Sequence, residues 1–116
     1  MKIGFDAKRA LSNGTGLGNY ARVLLNALAR CFPEEQYLLY TPSVNAAYAE
    51  LLDDKLALQL PDRASRFNRG SLWRTFGLAT GIMKDRVDLF HGLSNELPYG
   101  INKSGAASVV TIHDLI

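Results

Sequence analysis

Apolar and polar positions change period several times along the chain, and each change marks an element. Lys2 to Asp6, with Ile3 and Phe5 apolar, reads as a short strand almost at the N-terminus. A polar, glycine-rich stretch from Ser12 to Asn19 follows. The spacing then becomes helical. Leu17, Tyr20, Ala21, Leu24, Leu28 and Phe32 share one side, and Asn19, Arg22, Asn26 and Arg30 take the other. Cys31 belongs to the apolar side, where it reads as a core filler. Arg30 in the last turn suits the helix dipole, and Pro33 stops the helix. Gln36 to Thr41 is a second strand, ended by Pro42. Ser43 is placed to cap a helix carrying Val44, Ala47, Tyr48, Leu51 and Leu52. Leu56, Leu58 and Leu60 alternate as a third strand. Pro61 to Gly70 is a polar loop. Ser71 then caps a helix with Leu72, Trp73, Phe76, Ala79 and Met83 on one side, in which Gly77 and Gly81 each cost about 1 kcal/mol relative to Ala. Val87 to His91 is a fourth strand, Leu97 to Ser104 a loop, and Ala107 to Ile112 a buried strand ending at His113-Asp114.

Strands therefore alternate with helices. That order predicts an α/β fold: a Rossmann-like, doubly wound, mostly parallel sheet of about five strands with helices on both faces. Such sheets bind ligands beyond the carboxyl ends of their strands. The Gly14–Gly18 loop, His91 onward and His113-Asp114 all fall there. No closing helix follows the last strand, so residues 1–116 are expected to be one domain of a longer protein.

Composition narrows the classes. The 116 residues suffice for one domain with its own core. Thirteen Lys+Arg against eleven Asp+Glu leave +2, too weak a field to select nucleic acid. No apolar run approaches the roughly 20 residues of a membrane span, and the start is too short in apolar residues for a secretory signal. One cysteine excludes an internal disulfide. A cytoplasmic location is the expectation. His91, His113 and Asp114 come from different strands without a short-spacing pair, so no metal site is expected. Arg63, Arg66, Arg69 and Arg74, opposed only by Asp62, read as a solvated loop, with an anionic acceptor or lipid headgroups as the other reading. Trp73 and Phe76 read as core.

The chemistry concentrates in three motifs. Gly14-Thr15-Gly16-Leu17-Gly18 opens a helix. Glycines admit close backbone approach, and the free N–H groups of a helix start favour an anion such as phosphate. A plain connecting turn is the alternative. The motif departs from the dinucleotide fingerprint: its spacing is G-x-G-x-G, seven residues separate Asp6 from Gly14, and Tyr40-Thr41-Pro42 stands where an acidic residue should close the second strand. No Lys-Ser/Thr follows, which excludes a Walker loop. His91 can exchange hydrogen bonds with a polar ligand or tie down its own loop. His113 and Asp114 suggest acid–base work or contact with a sugar hydroxyl, against a satisfied polar pair at the sheet edge. As neighbours in a strand they point to opposite faces and should not pair with each other.

Four blocks together resemble a known family: Ile3-Gly4-Phe5-Asp6-Ala7-Lys8, Gly14 to Arg22, Asp88-Leu89-Phe90-His91-Gly92-Leu93, and Val109 to Leu115. In order and spacing they are similar to the N-terminal half of a family-four retaining glycosyltransferase of the GT-B architecture, mannosyltransferase-like in pattern. The resemblance implies an N-terminal acceptor-side domain over residues 1–116. It implies a second, nucleotide-sugar-binding domain outside them, without which the chain is inactive. The implied reaction transfers a hexose, mannose among the candidates, from a nucleotide sugar such as a GDP- or UDP-hexose to a saccharide or lipid-linked acceptor. It needs no metal or further cofactor.

By the same resemblance Gly14, Thr15, Gly16, Leu17 and Gly18 meet the donor diphosphate. His113 touches the transferred sugar, Asp114 supports its loop, and His91, Asn95 and Glu96 line the acceptor side. Lys8 stands before Arg9 where the family start has Asp-Ala-Arg. Peripheral contact with the inner face of the cell membrane and self-association of the domain are further expectations. Two other classes stay open on the residues alone: a dinucleotide-binding domain of an oxidoreductase, and a non-catalytic Rossmann-like interaction domain.

Overall fold

A computed structural model describes residues 1–61 and 73–114, with the backbone alone at 75 and 76. Five strands, β1 (Lys2–Asp6), β2 (Gln36–Tyr40), β3 (Leu56–Gln59), β4 (Leu89–Gly92) and β5 (Ala107–Val110), form one sheet in the order β3-β2-β1-β4-β5. Every pairing is parallel. Among the described residues the α-helices are α1 (Lys8–Ser12), α2 (Gly16–Cys31), α3 (Ala46–Ala49) and α4 (Leu78–Lys84), the last entered through a π-helical turn at Trp73–Gly77, and a short 3-10 helix spans Ile101–Lys103. The expected Rossmann-like α/β sheet is present. The Pro61–Gly70 loop past its first residue, the Ser71 cap, Leu72 and Arg63, Arg66 and Arg69 lie outside the described residues, as does the side chain of Phe76.

Alternation along the central strands builds two cores. Phe5, Tyr37 and Leu39 face Ala21, Leu25 and Ala29 of α2 and Ala10 and Leu11 of α1. Tyr40 and Phe90 face the other way, onto Trp73, Leu78, Ile82 and Val87. Gly4 also faces this second layer, where an added Cβ would press on Tyr40, Val87 and Phe90. Two buried faces explain why β1 and β2 carry almost continuous apolar runs.

Several local expectations give way. Lys8–Ser12, given no element by the sequence pattern, forms α1, whose Ala10 and Leu11 are fully buried. The buried stripe of α2 is Gly18, Ala21, Arg22, Leu25 and Ala29. Tyr20 and Phe32, read as inward, are exposed, and so is Cys31, which is no core filler. Phe5 of β1 shares its core with Ala21, Leu25 and Ala29 of that stripe, and Tyr20 and Phe32 lie off it. Asn45, not Ser43, caps α3 by accepting from the Ala47 N–H at 3.0 Å. The last strand ends at Val110 rather than Ile112 and is largely exposed at the sheet edge.

From β1 the chain runs outward to β2 and β3, then returns to the far side of β1 for β4 and β5. The connections leaving β1 and β4 therefore diverge, and in sheets of this kind the ligand crevice is the one between such connections, at the strands' carboxyl ends.

Candidate functional site

One rim of that crevice is the start of α2. Thr15 occupies the N-cap without a side-chain cap bond, and no acidic residue sits in the first turn. The opening N–H groups of a helix have no partner within it, so this end keeps its partial positive charge. The three glycines differ in what holds them. Gly16 faces open space, with nothing within 4 Å of an added Cβ. Gly14 lies against the Tyr48 hydroxyl. Gly18 is a packing residue, because a Cβ there would collide with the carbonyl oxygens of Asn13 and Arg9. The preceding turn is set by Asn13, whose Oδ1 accepts from the Thr15 N–H at 2.7 Å.

Behind this loop lies Arg22, only 5% exposed. Its Nη1 donates to the carbonyls of Ala10 at 2.9 Å and Asn13 at 2.8 Å, and its Nη2 to Asn19 Oδ1 at 2.7 Å. The guanidinium also sits 4.5 Å over the Tyr48 ring. Among the described residues no carboxylate pairs with it. A buried cation neutralised only by dipoles adds to the positive potential of the helix start. Sequence reasoning put Arg22 on the polar side of its helix and so missed it. Its i, i+3 relation to Asn19 was the available signal.

The opposite rim is built from β4, β5 and the loop between them. The His91 ring lies tilted against Phe5 with centroids 5.8 Å apart, and its Nε2 lies 2.7 Å from Thr111 Oγ1. Burial lowers the His91 pKa from its ordinary value, favouring the neutral ring. His91 thus ties β4 to the segment after β5. Asn95, in the left-handed region at φ 69°, donates its N–H to the Thr111 carbonyl at 2.9 Å and accepts from the His113 N–H at 2.7 Å. His113 Nε2 lies 2.7 Å from the Leu93 carbonyl oxygen. Asp114 is exposed and has no hydrogen bond to His113 among the described residues.

The rims meet. Tyr20, one turn into α2, packs edge-to-face with the His113 ring, centroids 4.8 Å apart. The glycine-opened helix and His113 are therefore neighbours. Tyr20 also lines an open apolar groove of about 400 Å³ along α2, with Asn19, Val23, Leu24 and Ala27.

Under the crevice a third group gathers. Arg74 Nε donates to Asp6 Oδ2 at 2.6 Å and its Nη1 to Glu96 Oε2 at 2.7 Å. The Asp6 side chain is 3% exposed and that of Glu96 58%. Burial works against the charge on Arg74, but the hydrogen bonds and charges of Asp6 and Glu96 outweigh it and raise its pKa. Arg74, expected in a solvated loop, instead joins the end of β1 to the loop after β4. Asp6 was legible only as the last residue of a strand.

Among the described residues no cluster of three or more His, Cys, Asp or Glu is arranged to hold a metal ion, and no helix is long and apolar enough to cross a membrane. Comparison with protein-family models, with curated proteins and with solved structures finds no match to this chain.

Proposed function

We propose that this chain is the acceptor-side domain of a retaining glycosyltransferase of GT-B architecture that uses a nucleotide-hexose donor. The observation that carries the reading is the contact between Tyr20 and His113, which brings the two rims, the α2 start and the His113 loop, together. Transfer of a glycosyl group breaks the bond between the anomeric carbon and the departing diphosphate and forms one from that carbon to an acceptor hydroxyl oxygen, whose proton passes to the departing diphosphate. Negative charge then grows on the leaving group. The open N–H groups at Gly16 and Leu17, with Arg22 behind them, favour that charge. In this reading His113 meets the sugar, Asn95 holds the His113 backbone, and Glu96, bonded to Arg74, faces the acceptor. Gly18 contributes by packing rather than by contact with phosphate. The nucleotide pocket belongs, in this reading, to a second domain.

The dinucleotide alternative fares worse on geometry. Its fingerprint needs a tight turn from the first strand into the helix. Here α1 and Asn13 to Thr15 intervene. The end of β2 carries no acid for a ribose either: Thr41 is fully buried, and its hydroxyl donates to the Ser43 carbonyl at 2.6 Å.

The test is amide chemical-shift mapping of the ¹⁵N-labelled chain with UDP- and GDP-hexoses and, separately, NADH and NADPH. Perturbations shared by Gly14 to Leu17 and His113 with a nucleotide hexose are expected. Tight NADH or NADPH binding without them would replace this reading with the oxidoreductase one.

A further inference from the structure

His113 has a defined protonation pattern that follows from its partners. A carbonyl oxygen accepts and cannot donate. The 2.7 Å contact between His113 Nε2 and the Leu93 carbonyl therefore requires hydrogen on Nε2. In the neutral ring the other nitrogen, Nδ1, is then bare and can only accept. Nδ1 has no hydrogen-bond partner among the described residues. The ring is hindered from turning over, because Tyr20 packs edge-to-face with it.

The backbone of His113 is fixed as well. Asn95 Oδ1 takes its N–H, while the Asn95 N–H grips Thr111 two residues earlier. Asn95 holds a left-handed backbone that Asn tolerates better than most side chains. One residue thus bridges the β4 loop to both ends of the segment that carries His113.

We propose that Asn95 and the Leu93 carbonyl are positioning groups that hold His113 as its Nε2–H tautomer, presenting Nδ1 to a ligand as a hydrogen-bond acceptor. The matching ligand group is a donor such as a hydroxyl, not a phosphate oxygen. The tautomer stands independently of the glycosyltransferase reading; its use on a sugar hydroxyl rests on that reading. Asn95 accordingly serves His113 rather than the acceptor directly.

Long-range ¹H–¹⁵N spectra of the labelled chain test this at about pH 8, where an ordinary imidazole is neutral. They separate a protonated ring nitrogen from a bare one. The chain has two histidines, so His91→Gln assigns the signals. The expected result is a full split at His113, with Nε2 protonated and Nδ1 bare. Asn95→Ala should collapse the split toward an average of both tautomers. Asn95→Asp, which keeps the acceptor, should restore it. A reversed or averaged pattern in the unsubstituted chain would overturn the tautomer. A full split surviving Asn95→Ala, or an averaged one in Asn95→Asp, would overturn the role of Asn95. If Asn95→Ala does not fold, the unsubstituted chain and Asn95→Asp decide both points. None of these results depends on a sugar binding.

Discussion

The two rims of the crevice are held by different forces. The glycine rim rests on close backbone approach: Gly18 lets α2 close on the carbonyls of Arg9 and Asn13, and Arg22 donates to those of Ala10 and Asn13. The histidine rim rests on side-chain hydrogen bonds at a half-exposed edge, where Asn95, Thr111, His91 and His113 stitch two loops together. The first should fail when volume is added, the second when a polar atom is removed or protonated. The first rim leaves Gly16 facing open space. The second holds its two histidines with amide and hydroxyl groups.

The largest effect should come from Gly18→Val. Its branched side chain meets the carbonyls of Asn13 and Arg9, which are backbone and cannot swing aside. Overpacking of this kind costs up to about 3 kcal/mol or more. Urea unfolding should show a midpoint lowered to match, or no folded protein. An unchanged midpoint would mean that α1 and α2 do not touch there. Next comes Arg22→Met, which keeps length but strands the Ala10 and Asn13 carbonyls. Losing hydrogen bonds to a charged donor costs about 1.5–3 kcal/mol. The same titration should show a midpoint drop smaller than for Gly18→Val.

Much of this contrast was legible in the sequence, and the exceptions share a cause. Strands β1, β2 and β4 were plain because apolar runs such as Tyr37-Leu38-Leu39-Tyr40 are buried on both faces. The glycine loop, His91 and His113 followed from strand order alone. What escaped were residues whose roles depend on partners far along the chain. Arg74 is 68 residues from Asp6, and no local period announces that pair. Arg22 looked polar by type, yet carbonyls 9 and 12 residues away draw it inside. Cys31 and Phe32 looked buried by type, yet α2 turns its small residues to the sheet and leaves them outside.

A smaller effect separates the rims by pH. Burial holds the His91 pKa in the folded chain below its unfolded value of about 6.5. The unfolded chain therefore binds the proton first. The stability that neutral His91 contributes is present above the unfolded pKa and is lost as pH falls through the folded one. Urea midpoints taken downward from about pH 7.5 should fall, and His91→Gln should flatten that part of the slope. An identical slope in the variant would remove His91 from the account and leave carboxylates to explain it.

Gly16→Ala should change stability least and sharpens the comparison most. Its Cβ enters open space, unlike that of Gly18 two residues later, so the urea midpoint should stay within about 0.5 kcal/mol of the unsubstituted chain. The methyl group nevertheless stands where a phosphate would approach the first turn. Loss of the nucleotide-hexose shifts at Gly14 to Leu17, with the fold intact, would separate a glycine kept for a ligand from one kept for packing. A destabilisation as large as that of Gly18→Val would mean that both glycines serve the helix contact, and the helix start would lose its claim to an anion.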